Sequence, residues 1–268
     1  AGVIVFSHAN SFPAGVYRVL FEAWRDAGYD VKALPRYGHD PRFPVTNNWP
    51  HLRDQLLEFI DEQVSEPAWL VGHSLGGMVS LLAASKRPQT ARGIVLLDSP
   101  VVAGWRAQSW RMAKVAGLAP RITPGRVART RRYRWPSRQA VREHFARKAV
   151  FARWDPRVLD DYVASAFAAN GDEWQLDFDR SIEARIYETL PHHFGPLLQR
   201  HRLQCPVAYI GGERSAEARQ AGLEATRRLT GEQQLQQQLD ACLHGGQGSG
   251  TRQSIAIAAL HRARSTAA

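Results

Sequence analysis

The chain predicts an α/β fold, a mostly parallel sheet flanked by helices with a helical cap inserted between two of its strands. Three observations predict it. Over residues 1–103, short apolar runs alternate with amphipathic stretches of helical length. One junction in that series, around Ser74, is a glycine-rich strand–turn–helix. The alternation then stops at Gly104 and resumes only after Pro206.

Each element follows from its residues. Val3–Ser7 is a short apolar run, as expected for a parallel strand buried on both faces. Residues 14–27 carry Val16, Leu20, Phe21 and Trp24 at helical spacing, and Gly28 ends the helix. Residues 29–34 read as a second strand, and a proline-rich loop with Pro41, Pro44 and Pro50 follows. Residues 51–64 set Leu52, Leu56, Phe59 and Ile60 on one helical face. Residues 68–71 predict a strand, 75–86 a helix and 93–97 another strand. From Gly104 to Leu203 the chain is rich in arginine and tryptophan, with mostly helical periodicity. Val207–Ile210 resumes the sheet, and residues 216–229 and 251–264 predict helices. The expected division is therefore a core of residues 1–103 and 204–268, with 104–203 as a cap over the edge where ligands bind in such sheets. Residues 231–250 are rich in glutamine and glycine where a Val/Ile-rich final strand belongs, and nothing in the sequence accounts for them.

Composition bounds the function. With 268 residues, 44% hydrophobic and 22% charged, the chain reads as a soluble globular protein. No apolar run approaches the ~18 residues of a membrane helix, so no membrane span is expected. Cys205 and Cys242 are too few for a disulfide framework, so the expected setting is cytoplasmic. The net charge is +10, carried almost wholly by arginine. Residues 121–148 hold ten basic side chains against one acid, Glu143, and so account for nine of those charges. That run reads as a solvated helix face. No base-reading motif accompanies it, so no specific nucleic-acid partner is expected. No His or Cys pair has zinc spacing, and no lysine follows the glycines to cradle phosphate. No metal and no cofactor are expected.

The chemistry centres on Trp69-Leu70-Val71-Gly72-His73-Ser74-Leu75-Gly76-Gly77, a Gly-x-Ser-x-Gly pattern between an apolar strand and an amphipathic helix. So sharp a turn has no room for side chains at its flanks, and the glycines remove them. Ser74 is then held on a strained elbow with a helix N-terminus behind it, and the Leu75 N–H points toward a developing oxyanion.

With that motif, and with His8-Ala9-Asn10-Ser11-Phe12-Pro13-Ala14 closing the first strand, the chain resembles the α/β-hydrolase fold family, in its bacterial serine hydrolase branch. The resemblance runs over nearly the whole length. It implies that the N–H near Ala9 or Asn10 is the second oxyanion donor, and Arg36-Tyr37-Gly38-His39-Asp40 is similar to the family's Gly-His loop. The two strands that usually precede the first loop are expected to be missing, as in a truncated chain. A serine hydroxyl needs a histidine base and a carboxylate to orient it. The family order of serine, acid, histidine implies a late base, and His244 is the candidate, with His201 and His261 less well placed. For the acid, the family's aspartate after Val207–Ile210 is replaced by Ser215. Asp98 at the preceding strand tip is therefore favoured, with Glu213 and Glu217 as alternatives. Five tryptophans in the cap fit a small-molecule acyl substrate. The expected activity is hydrolysis of a carboxylic ester or related acyl bond through an acyl-enzyme. A catalytically weak small-ligand binder and a carbon–carbon bond hydrolase stay open beside it.

Overall fold

The computed structural model describes residues 2–212 and 215–230. His244, Glu213, Cys242, His261, the glutamine- and glycine-rich stretch and the helix expected over 251–264 lie outside the described residues.

The sheet has five parallel strands: β1 (Val3–Ser7), β2 (Asp30–Ala33), β3 (Ala68–His73), β4 (Ala91–Leu97) and β8 (Val207–Ile210), in the order β2-β1-β3-β4-β8. Between them run α1 (Arg18–Asp26), α2 (Pro50–Gln63) and α3 (Leu75–Lys86). The central strands β1, β3 and β4 are mostly apolar and buried because both faces are covered, whereas the edge strand β2 carries Asp30 and Lys32. Alternate residues serve different cores. Val5, Leu70, Ile94 and Leu96 pack with α2 and α3, while Ile4, Phe6, Trp69, Val71 and Val95 pack with α1. The expected first strand is thus in place, inside the sheet between β2 and β3.

The predicted helix over 14–27 opens as a 3-10 turn, Ala14–Tyr17, before α1, and Gly28 with φ 85° turns the chain out of it. The single helix expected over 216–229 is two, α11 (Ala216–Ala221) and α12 (Glu224–Thr230). Gly222 between them takes φ 73°, a left-handed conformation that ends a helix.

The insertion between β4 and β8 holds α4 (Gly104–Val115), α5 (Ala119–Ile122), α6 (Gly125–Thr130), α7 (Arg138–Ala146), α8 (Pro156–Ala166), α9 (Arg180–Glu188) and α10 (Phe194–Arg200). It also holds a small antiparallel sheet that helical periodicity does not show, β5 (Arg134–Trp135), β6 (Phe167–Asn170) and β7 (Glu173–Leu176), in the order β5-β7-β6. Asn170 pairs with Glu173, so Gly171-Asp172 is a two-residue hairpin loop with Gly171 at φ 60°. The insertion has its own aromatic core. Trp135, Phe145, Tyr162 and Phe167 pack there with Leu159 and with Val16, which precedes α1.

Among the described residues no helix is long and apolar enough to cross a membrane.

Candidate active site

Parallel register brings the sequence's candidates to one edge of the sheet. Ser7 pairs with Gly72 and His73 with Leu97, so the loop after β1, the turn after β3 and the tip of β4 leave the sheet side by side. The Ser74 N–H donates to Leu97 O at 3.0 Å, and the Asp98 N–H to Ile210 O at 2.7 Å. Ser74 and Asp98 therefore stand on neighbouring strand ends.

The turn at Ser74 has φ 48° and ψ −109°, outside the usual regions for a residue with a side chain. The glycines around it leave no alternative. A Cβ on Gly72 would strike the backbone of Gly76 and Gly77, and one on Gly76 would strike the carbonyl of Ser7 in β1. α3 is thereby pressed against the ends of β1 and β3, and Ser74 is carried at its N-terminus. Among the described residues only Ser11, Asn48, Trp49, Ser74 and Asp98 combine a side chain with positive φ. Three of those five lie on this edge, and strain of this kind collects at functional sites.

The loop after β1 is fastened from several directions. His8 is buried, its Nε2 accepts from the Tyr37 N–H at 3.0 Å, and its Nδ1–H donates to Ala9 O at 2.7 Å. Burial drops its pKa to about 4, so the ring is neutral with both nitrogens engaged. His39 is tied the same way, to Tyr37 O at 2.8 Å and to the Asp179 N–H at 3.0 Å, and burial lowers its pKa as well. His73 is the remaining ring in the motif. Its Nδ1 bonds to Tyr17 Oη at 2.8 Å, and burial lowers its pKa to about 4, with Glu217 acting weakly against that. Both ring nitrogens of His8 and of His39 are thus engaged, and of His73 the Nδ1 is.

Of the two loop amides the sequence offered as oxyanion donors, Ala9's already donates to Tyr17 Oη at 3.2 Å. Asn10's makes no hydrogen bond among the described residues. The Leu75 amide opens α3, where no intrahelical partner exists. The structure thus brings Ser74, Leu75, Ala9, Asn10 and Asp98 to one edge, with the Ala9 amide occupied.

Asp98 is half-buried and takes the Tyr209 hydroxyl at 3.4 Å on Oδ1. Burial raises its pKa, partly offset by hydrogen bonds from Ser215, Tyr209 and the Gly212 backbone, while the Glu217 charge raises it further. Ser215, in the family's aspartate position, caps α11 by accepting the Ala218 N–H at 3.0 Å. Glu217 is exposed, lies within electrostatic reach of Asp98 and His73, and accepts from the Ser215 hydroxyl at 3.4 Å. Asp98 and Glu217 are thus neighbours in space on the same side of the sheet edge.

Sequence reasoning missed Tyr17, Glu183 and Arg131. Glu183, on α9 of the insertion, is 4% exposed. Its backbone carbonyl accepts from Asn10 Nδ2 at 3.0 Å, and its carboxylate accepts from the Ser11 hydroxyl and pairs with Arg131 at 3.1 Å. Burial raises the pKa of that carboxyl, and Arg131 and Ser11 hold it back. One buried side chain of the insertion therefore grips the loop that carries the free amide. A shallow open cleft lies alongside, walled by Asn10, Ser11 and Phe12 of the loop and by Phe178, Glu183 and Ile186 of the insertion. Ser74 is not among its walls. Among the described residues no three His, Cys, Asp or Glu side chains converge as a metal site. His192 and His193, near the return to β8, feel the charge of Lys114, and the His192 backbone N–H donates to Asn48 Oδ1 at 3.1 Å.

Comparison with known proteins agrees with this architecture. A model of the alpha/beta hydrolase family matches residues 4–241. Monoglyceride lipase of Rattus norvegicus is 29% identical over 136 residues, 47% of this chain and 45% of that protein. Phospholipase YtpA of Bacillus subtilis is 32% identical over 109 residues, 37% of this chain and 40% of that protein. Pheophytinase of Arabidopsis thaliana is 40% identical over 47 residues, 18% of this chain and 10% of that protein. The chain spans less than half the length of each of these relatives. Among solved structures, the thioesterase domain from the curacin biosynthetic pathway superposes with a TM-score of 0.66 at 18% identity, over 98% of this chain and 89% of that one. E-2-(acetamidomethylene)succinate hydrolase gives 0.63 at 20% identity, over 85% and 80%. At such identities the likeness is one of fold.

Proposed function

The chain belongs to the alpha/beta hydrolase family, and on that premise we propose that it is a serine hydrolase that cleaves a carboxylic ester or related acyl bond. The observation that carries this reading is Ser74, at φ 48° on a glycine-cleared turn between β3 and α3. A serine held this way has its hydroxyl fixed and a helix N-terminus under the atom it attacks.

In the proposed cycle the Ser74 hydroxyl adds to the substrate carbonyl and gives its proton to a histidine. The tetrahedral oxyanion is held by the amides of Leu75 and Asn10. Collapse expels the alcohol, which takes the proton back from the histidine, and leaves an acyl-Ser74. Water, deprotonated by the same ring, then releases the acid.

His244 is the proposed base. It lies outside the described residues. Its support is its place after the acid in chain order, together with the engagement of both ring nitrogens of His8 and of His39 elsewhere. Asp98 is the proposed orienting acid, supported by its strand tip beside Ser74 and its half-buried carboxylate. Glu217 is near enough to share the role, and Glu213 lies outside the described residues. Residues 104–203 act as the cap in this scheme, supported by the bonds of Glu183 to Asn10 and Ser11. The substrate is a small acyl compound, as membership of the hydrolase family favours. The cytoplasm as its setting rests on cysteine usage alone; Cys205 has no disulfide partner among the described residues.

The test is turnover of p-nitrophenyl esters of graded chain length. Ser74→Ala lowers kcat by about 10⁴- to 10⁶-fold, the scale seen when a triad member is removed. Equal turnover by the variant excludes the acyl-enzyme.

A further inference from the structure

Helices α4 to α6 carry a surface that neither the fold nor the proposed reaction uses. A helix lying on a globular protein normally turns its polar side outward. α4 does the reverse. Its buried side is marked by the small Ala107, while Trp105 and Met112, a heptad apart on the opposite side, are 70% and 65% exposed. Val115, Leu118, Ile122 and Val127 are exposed too, and α4, α5 and α6 pack in succession. Every large exposed hydrophobic side chain among the described residues falls between Trp105 and Val150.

The same stretch has one sign of charge. No Asp or Glu occurs between Asp98 and Glu143. Arg106 and Arg129 find acids on other elements, Glu224 and Glu188. Arg111, Arg121 and Arg126 are exposed and form none of the ion pairs found among the described residues.

Large apolar side chains interleaved with unpaired arginines match one chemistry, an apolar layer edged by phosphates. We infer that the α4–α6 face docks the protein on an anionic lipid surface, with Trp105, Met112 and Val115 entering the headgroup–acyl boundary and Arg111, Arg121 and Arg126 on lipid phosphates. A nucleic acid satisfies the arginines but offers nothing to Met112, Val115, Ile122 and Val127. A second copy of the chain brings the same positive charge. Residues 231–268 carry Glu232 and Asp240 against Arg252, Arg262 and Arg264, so they do not complement it either.

Co-sedimentation of the full chain with phosphatidylcholine vesicles, with and without about one-third phosphatidylglycerol, tests this independently of any hydrolysis. The expected result is about tenfold or more stronger partitioning onto the anionic vesicles, weakening with salt. The triple variant W105S/M112S/V115S loses about tenfold with an unchanged circular dichroism melt, and W105S alone loses part of that. R111Q/R121Q/R126Q loses only the preference for phosphatidylglycerol. Wild type that stays in solution with both vesicles overturns the inference. So does binding that the triple variant retains, duplex DNA bound in preference to vesicles, or a dimer in size exclusion that the triple variant dissolves.

Discussion

Trp69 and Trp105 stand in two regions built by different rules. Trp69, in β3, is 1% exposed, and Gly93 in β4 has no side chain because a Cβ there would strike the Trp69 ring. Trp105, in α4, is 70% exposed and touches little beyond the guanidinium of Arg106. In β3, at the centre of the sheet, each residue is constrained by a strand on either side and a covered face, so its size and its neighbours' sizes are set together. In α4 to α6 only one side of each helix has neighbours, and the other is available for something other than packing. The contrast separates residues that make the fold from residues that face a partner.

Substitutions at the elbow break this comparison most severely. Gly76→Ala drives a methyl into the carbonyl of Ser7, which is backbone and cannot rotate away. The expected loss is about 3 kcal/mol or more, on the scale of severe overpacking, measured by urea unfolding. A loss under 1 kcal/mol means that α3 does not press on β1.

A pH-dependent effect follows from His8 and His73, whose pKa values burial lowers to about 4. Both are neutral in the fold and bind protons near pH 6.5 when unfolded. Their contribution is therefore complete above pH 6.5 and declines as the pH falls toward 4. The slope is about 1.4 kcal/mol per pH unit for each ring inside that window. A pH series of unfolding midpoints reads it, and His73→Gln removes one ring's share. A flat profile from pH 6.5 to 4.5 contradicts the buried neutral rings.

The bridge between the two regions is weaker still. Ser11→Ala removes the hydroxyl that Glu183 holds and loosens the loop that carries the Asn10 amide. The expected change is about a tenfold fall in kcat, equivalent to about 1.4 kcal/mol of barrier, with KM within about twofold and an unchanged melting point. An equal fall in 1/KM assigns Ser11 to substrate binding instead. At the far end of the scale, Trp105→Ser shifts unfolding free energy by less than about 0.5 kcal/mol, as an exposed site should, whereas Trp69→Ala costs about 3–5 kcal/mol.

The same contrast explains what the sequence disclosed. β3, α3 and β8 were legible because their signals are local, apolar runs and a glycine turn, although α3 proves buried on nearly every side rather than amphipathic as expected. Ser74 and Asp98 followed because each sits where a strand ends. The β6–β7 hairpin was hidden by its shortness, although Asn170-Gly171-Asp172 is a turn signal that can be read. Gly222 likewise marks the break between α11 and α12. The grip of Glu183 on Asn10 joins residues 173 positions apart, and no local pattern carries it. Ala9 looked equivalent to Asn10 as an oxyanion donor because Tyr17, which takes its amide, reaches back from the turn ahead of α1.

The most direct measurement is peptide mass spectrometry after brief exposure of the folded full chain to a fluorophosphonate. The account predicts one phosphonyl group, on Ser74, absent after heat denaturation and slowed about 10³-fold or more in His244→Ala. A folded chain that stays unlabelled, or carries the label on another residue, contradicts it.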